Sequence, residues 1–442
     1  MLTPRYPNMI HEVIDLTDQT RNIIFNMTME EATKIVSEGD PEKIATIEGH
    51  FAITGRKNHI IRMARSLQLP MRYFIVKKVA GPALLIAERI DQIQDWLEKQ
   101  GFGDQFHPSY SRMVPAHHLT EIALIGCPDP NPTYTRFFKP KRECQPNNLD
   151  AIGDSYIGEL ANGISKWLDS IPEDEPVGVM FSGGIDSGAI FLVTHYVMQK
   201  RGMNLARLKA FTLSVNEAGT DVIQARKFLS SLDLELFHEI VCVPESWIDL
   251  QAAVKTIEDY KPLDIQAGAM TLALCRGIRD QYPNWKHLID GDGGDENLKD
   301  YPIEENPELT IKSVLNNLML YQEGWGVDAI KHSLTFSGGL SRGCTRGYAT
   351  TSFYQFHGFS PFMLPSVIAI AEGIPFIELT DWDHKKLYAL KGEIVSRGVE
   401  SVTGMIMPIF EKQRFQHGAV GKRTLDDEPS QYRKAFHAAF DC

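Results

Sequence analysis

The strictest constraint on how this chain can fold is a change of rhythm near residue 149. From there to Asp290, apolar runs of strand length alternate with longer stretches of helical spacing. "DAIGDSYIGELANGISKWLDSI" has the spacing of a helix, "PVGVMFS" reads as a strand, and "GAIFLVTHYVMQKRG" as a helix with a glycine stop. "LKAFTLSV", "LELFHEIVCV" and "WKHLID" follow as strands, separated by the helical "TDVIQARKFLSSL" and "QAGAMTLALCRGIRDQY". Strands alternating with helices build βαβ units, which close a mostly parallel sheet buried on both faces. The expected class is therefore α/β, with a largely helical part after about Pro302.

Residues 1–148 read as a smaller α+β domain. "IEGHFAITG", "YFIVKKVA" and "PALLIAER" have strand-like apolar content, and "DQIQDWLEKQG" reads as a helix closed by Gly101. "CPDPNPTYTRFFKPKRECQPNN" is rich in Pro, Asn and charge, as linkers are. A boundary near Asn148 gives two domains, 1–148 and 149–442, within the usual prior for 442 residues.

A formal net charge of -12 argues against a general nucleic-acid binder, which presents a basic face, and leaves room for a local basic patch. Cys127, Cys144, Cys242, Cys275, Cys344 and Cys442 form no C-x-x-C pair and no zinc spacing, so they read as reduced thiols. Cys242 and Cys275 are expected to be buried, in a strand and a helix. The opening residues have no apolar h-region, and no run of about 18 apolar residues occurs. The expectation is a cytoplasmic protein with no membrane span.

Open parallel sheets bind ligands beyond the carboxyl ends of their strands. Three loops leave such ends here. Ser182-Gly183-Gly184-Ile185-Asp186-Ser187 stands between a strand and a helix. Its glycines let main-chain N–H groups approach an anion, and the helix dipole favours negative charge. No Gly-Lys-Ser/Thr follows, so this is no Walker A loop. "IDGDGGDENLKDY" crowds Asp290, Asp292, Asp295, Glu296 and Asp300 around glycines. So many acids need a cation, and magnesium takes one or two carboxylates beside substrate phosphates. Asp186 and Asp295 are the natural pair for such an ion. The EF-hand spacing is not met. "LSVNEAGTD", from Leu213, is the third loop and would flank a base.

These residues resemble a known family. S-G-G-x-D-S is the PP-loop of the N-type ATP pyrophosphatases. Gly291-Asp292-Gly293-Gly294-Asp295-Glu296, ending at Tyr301, is similar to the second loop of the asparagine synthetase superfamily. Asp221, Ala225, Arg226 and His238-Glu239 resemble a further family segment, as does "FHGFSPFMLPSVIAIAEGIPF". "FEKQRFQHGAVG" resembles the basic loop of the β-lactam synthetase branch, with Lys412 in the place of its lysine. Residues 47–76 look like the later half of a class II glutamine amidotransferase domain. Leu2 stands where that domain has its nucleophilic cysteine, so a scaffold role without glutaminase activity is expected.

The resemblance implies a C-terminal PP-loop ATP pyrophosphatase domain using ATP and Mg²⁺. A carboxylate is adenylated, pyrophosphate leaves, and ammonia or an amine then displaces AMP. Ser182, Gly183, Gly184, Asp186, Ser187, Leu213 and Gly291 would bind the nucleotide, and Asp186 and Asp295 the metal. Asp292, Glu296 and Lys412 would be catalytic. Asp292 stands where asparagine synthetases have Glu and β-lactam synthetases Tyr, which speaks against lactam formation. Glu323 and Asp328 are candidate second carboxylates, with an exposed charge near a loop as the plainer reading. Lys385, Lys386 and Arg414 are candidate phosphate contacts, the two lysines reading more simply as a solvated helix face. His238 and Glu239 read as strand-end packing. The expected partners are a small carboxylic acid and ammonia or an amine, with a homodimer or an amine-supplying protein as further candidates. Sulfur transfer and intramolecular lactam formation are the alternative reactions.

Overall fold

A computed structural model describes residues 10, 12–124, 131–216, 220–300, 303–305, 310–319, 323, 343–410 and 429–440. These residues fall into two compact units. One takes those up to Lys139, Glu323 and those from Lys434; the other takes the remaining residues from Pro140. The class is the expected one, a parallel-sheet α/β unit and a smaller α+β unit.

Among the described residues the smaller unit has ten strands: Glu12–Asp15 (β1), Ile23–Ile24 (β2), Gly49–His50 (β3), Ala52–Lys57 (β4), Ile60–Arg65 (β5), Arg72–Val76 (β6), Ala83–Ala87 (β7), Arg112–Met113 (β8), His118–Ala123 (β9) and Thr133–Arg136 (β10). They form sheets of order β1-β7-β6-β8 and β10-β9-β5-β4, with β2 paired to β3. The helix Met29–Glu38 opens with a Thr28–Glu31 capping box. It buries Ala32 and Val36 against Phe51, Ile53, Ala64 and Leu119. The helix Ile90–Lys99 buries Ile93 and Leu97 against Phe74, Val76 and Leu85. Gly101 ends it with φ +76°, as the sequence anticipates. The supposed linker departs from expectation. Thr133–Arg136 is an edge strand paired antiparallel with β9, so part of that Pro- and Asn-rich stretch belongs to the sheet.

The larger unit is built on five parallel strands: Val177–Met180 (β11), Leu208–Val215 (β12), His238–Val243 (β13), His287–Ile289 (β14) and His357–Phe359 (β15). Their order is β13-β12-β11-β14-β15. The chain runs outward from β11 through β12 to β13, then returns to the other side of β11 with β14. The strand order thus reverses between β11 and β14, and ligands bind at such a crevice. Among the described residues no helix is long and apolar enough to cross a membrane.

Two long helices frame that crevice. Leu149–Asp169 is capped by Asn148, whose side chain accepts from the Ala151 N–H. It crosses His384–Thr403 at paired glycines. A Cβ on Gly398 would lie 2.3 Å from the Gly153 carbonyl oxygen, and one on Gly153 2.7 Å from that of Ile394. Only glycine permits so close an approach.

Candidate active site

The SGGIDS loop leaves β11 and turns at Gly183, whose φ is +73°. A Cβ there would also lie 2.9 Å from the main chain of Ala225. Gly184 is the N-cap of the helix Ile185–Lys200, with Asp186 in its first turn. The loop is held by its own hydroxyls. Ser182 Oγ and Ser187 Oγ are 3.1 Å apart, the Ser182 N–H donates to Ser187 Oγ at 3.2 Å, and the Gly184 N–H donates to Ser182 Oγ at 3.3 Å.

The GDGGDE loop leaves β14 beside it. The Asp290 N–H donates to the Phe359 carbonyl at 3.1 Å, so β15 extends the ladder to the mouth of the loop. Gly293 has φ +99° and opens a short helix, Gly294–Asn297. A Cβ on Gly291 would lie 2.9 Å from Ser187 N, and one on Gly294 would lie 2.2 Å from Asp186 Oδ1. The two loops therefore meet in close contact. Of the sequence-nominated residues, Ser182, Gly183, Gly184, Asp186, Ser187, Gly291, Asp292, Asp295 and Glu296 lie in these two loops.

Buried Asp290 and half-buried Asp292 form an acidic pair beside this contact. Asp290 accepts from Ser360 Oγ at 3.0 Å and from the Asp292 N–H at 3.0 Å. Burial pushes its carboxyl up to about 7 against those two hydrogen bonds. The half-buried Asp292 is raised well above the usual carboxylate range by desolvation and then by Asp290, with Arg346 opposing. A single turn of π-helix, Cys344–Tyr348, packs against both carboxylates. A Cβ on Gly347 would be 2.7 Å from Asp290 Oδ2 and 3.1 Å from Asp292 Oδ2. Such turns recur at functional sites. Gly343 and Gly347, at i and i+4, were the sequence signal for this approach. Glu296 is buried in the short helix, and its charge adds to the field at Asp292.

The cation among the acids is Lys391, which sequence reasoning missed. Its Nζ lies 2.5 Å from Asp186 Oδ2, hydrogen-bonds Asp295 Oδ1 and sits 3.7 Å from Asp300 Oδ2. Burial alone would pull this ammonium down. Asp186, Asp295 and Asp300 outweigh it and hold the group well above the ordinary lysine value. As placed, the face shared by Asp186 and Asp295 is filled by ammonium and does not fit a magnesium ion held by both. Among the described residues no cluster of three or more His, Cys, Asp or Glu side chains is arranged to hold a metal. The signal for Lys391 was its place in the stripe Leu387, Leu390, Ile394, Val395, all buried on one helix face. Lys385 and Lys386 are exposed, and Lys386 pairs with Asp381 at 3.1 Å.

Other nominated residues lie elsewhere. Leu213 is buried in an apolar cluster with Phe211, Val215 and Val241, so it could offer a ligand only main chain. Glu323 corrects the plainer reading made of it. It is not an exposed charge, because its side chain is buried between His117 and Arg136 of the smaller unit. His238 Nε2 lies 2.9 Å from Thr212 Oγ1, and Glu239 pairs with Lys209 at 2.6 Å, which is strand packing. Cys242 is exposed on the edge strand β13, contrary to expectation, while Cys275 is buried and its thiol is pushed up by burial. Leu2, Tyr301, Asp328, Lys412 and Arg414 lie outside the described residues.

Asp221 adds an unexpected neighbour. It is 4% exposed on the helix Thr220–Ser230. One turn on, Gln224 Nε2 donates to the Ser182 carbonyl at 3.5 Å and Ala225 packs under Gly183. Residues at i+3 and i+4 share a face with i, so Asp221 faces the SGGIDS loop. Burial raises its carboxyl to about 7, and Oδ2 has no hydrogen-bond partner among the described residues. An unfolded aspartate loses its proton near pH 4. Between about pH 4 and 7 the folded state therefore binds more protons, and stability falls as pH rises through that window. Asp221→Asn is expected to stabilise the protein at pH 8 by on the order of 2 kcal/mol and to change little at pH 4. Chemical denaturation at both pH values checks this; an equal gain at both would contradict it.

Residues 170–335 match the family model for asparagine synthase, of the PP-loop ATP pyrophosphatase class. No curated protein matches the chain. Among solved structures it is similar to the U34-tRNA thiolase NcsA from Methanococcus maripaludis with its [4Fe-4S] cluster. The identity is 17% over 57% of this chain and 80% of that one, with a TM-score of 0.25.

Proposed function

With an asparagine synthase domain matched over residues 170–335, we propose that this protein is an ATP-dependent carbon–nitrogen ligase that forms an acyl-adenylate. The observation that carries the reading is the contact of SGGIDS and GDGGDE at the point where strand order reverses. In this reading the triphosphate lies against the N-terminus of the helix Ile185–Lys200, where main-chain N–H groups and the helix dipole favour its β- and γ-phosphates. The serine hydroxyls that now bond each other exchange partners for phosphate oxygens.

A substrate carboxylate oxygen then forms a bond to the α-phosphorus, and the α–β bridging bond breaks with release of pyrophosphate. The nitrogen of ammonia or an amine next bonds the acyl carbon, loses a proton, and AMP leaves. A proton acceptor is needed where the nitrogen arrives. Asp292 is the candidate, because desolvation and Asp290 make it more basic than an ordinary carboxylate. Magnesium would arrive as the counter-ion of the nucleotide, and no step is assigned to it. Buried Cys275, with its raised thiol, offers no resident thiolate for sulfur transfer.

ATP–pyrophosphate exchange across a panel of small carboxylic acids tests the proposal. Exchange that requires one acid class, followed by AMP release when an amine is added, is expected. ADP and inorganic phosphate as products would overturn it.

A further inference from the structure

Lys391 is placed more rigidly than a surface lysine that happens to reach an acid. Its side chain is 3% exposed, and its helix is fixed by the glycine crossing with Leu149–Asp169. One ammonium ties together three places in the chain. Asp186 stands on the first turn after β11, Asp295 on the short helix after β14, and Asp300 just beyond it. A buried ammonium with three carboxylates around it leaves negative charge in excess, so the site still favours cations. A magnesium or manganese ion bound to both Asp186 and Asp295 needs oxygens at about 2.0–2.2 Å. The Lys391 nitrogen already lies at hydrogen-bond distance from one oxygen of each. Two cations cannot share those oxygens without strong repulsion in a desolvated setting.

We propose that Lys391 is the resident cation of the two loops, and that a divalent ion binds Asp186 and Asp295 only by displacing its ammonium. In the ligand-free protein Lys391 locks the loops in register and keeps metal out. The phosphates of a nucleotide can draw the ammonium away, which makes metal binding at the carboxylates dependent on nucleotide. That last step rests on the nucleotide reading above; the competition itself does not.

The test uses Mn²⁺ alone, without nucleotide. Free Mn²⁺ is followed by electron paramagnetic resonance, and thermal unfolding is followed with and without the ion. Wild type is expected to bind weakly. Lys391→Met should bind one Mn²⁺ at least tenfold more tightly and should melt higher when the ion is added. Lys391→Arg keeps the charge and should show neither gain. The double variant Lys391→Met/Asp295→Asn should lose both gains. Wild type binding as tightly as Lys391→Met would overturn the proposal. So would Lys391→Met that folds but binds no Mn²⁺, or that fails to fold and is not recovered by it. No nucleotide is present, so failure of the ligase reading would show in pyrophosphate exchange and leave this result standing.

Discussion

Gly294→Ala is expected to lower ATP–pyrophosphate exchange by at least about 100-fold in a protein that still folds. The added Cβ would lie 2.2 Å from Asp186 Oδ1 and 2.6 Å from its Cγ. No real Cβ tolerates that distance, so one loop must move. Asp186 cannot simply rotate away, because its other oxygen is 2.5 Å from the Lys391 ammonium. The Gly291 side is equally closed, with a Cβ position 2.9 Å from Ser187 N. The movement therefore falls on the register between SGGIDS and GDGGDE. A shift of about 1 Å in a positioning element is enough to cost two orders of magnitude in rate. Gly158→Ala is the control. It sits in the helix Leu149–Asp169 with nothing within 4 Å of its Cβ position, so it should stabilise by about 0.5–1 kcal/mol and leave exchange unchanged. Exchange rates at saturating nucleotide, beside circular dichroism of each variant, check the pair. Gly294→Ala within about threefold of wild type would show that the loop contact does not govern the chemistry.

The same contact marks how far the sequence can be read. Alternating apolar periods are local signals, and they place β11 to β14 and their helices. The two glycine-rich loops are local too, and parallel topology alone brings their ends together. What escaped is set by partners distant in the chain. Lys391 is one of several lysines on a helix, and only its place in an apolar stripe distinguishes it from Lys385 and Lys386. β15 is three residues, "HGF", with weak strand propensity; it is a strand because β14 offers it a parallel edge. Thr133–Arg136 was obscured by flanking prolines, yet β9 gives it four paired residues. Gly343 and Gly347 carry no chemistry of their own, and their meaning appears only when Asp290 and Asp292 lie beneath them.

Glu323 is the sharpest case of partners set by the fold, and it carries the largest expected effect on stability. Its carboxylate takes two hydrogen bonds from Arg136, Nη1 to Oε1 at 2.8 Å and Nη2 to Oε2 at 2.6 Å. His117 Nδ1 lies 2.7 Å from Oε1, and the Glu323 side chain is only 6% exposed. Removing one partner of a buried pair strands the others without compensation. Glu323→Ala should therefore cost about 3–5 kcal/mol. The clamp also fixes a pH window. Burial would raise this carboxyl, but the hydrogen bonds from His117 and Arg136 outweigh it and hold it down at about 2. An unfolded glutamate titrates near pH 4.3. The folded state binds fewer protons between those values, so the contribution is complete above about pH 5 and is lost as pH falls from about 4 to about 2. Urea denaturation of wild type and Glu323→Ala should show their difference shrinking across that range. Glu323→Gln separates the clamp from a catalytic role. A catalytic carboxylate would lose turnover with stability intact. The clamp requires the reverse: lower stability at pH 7, with exchange per folded molecule close to wild type.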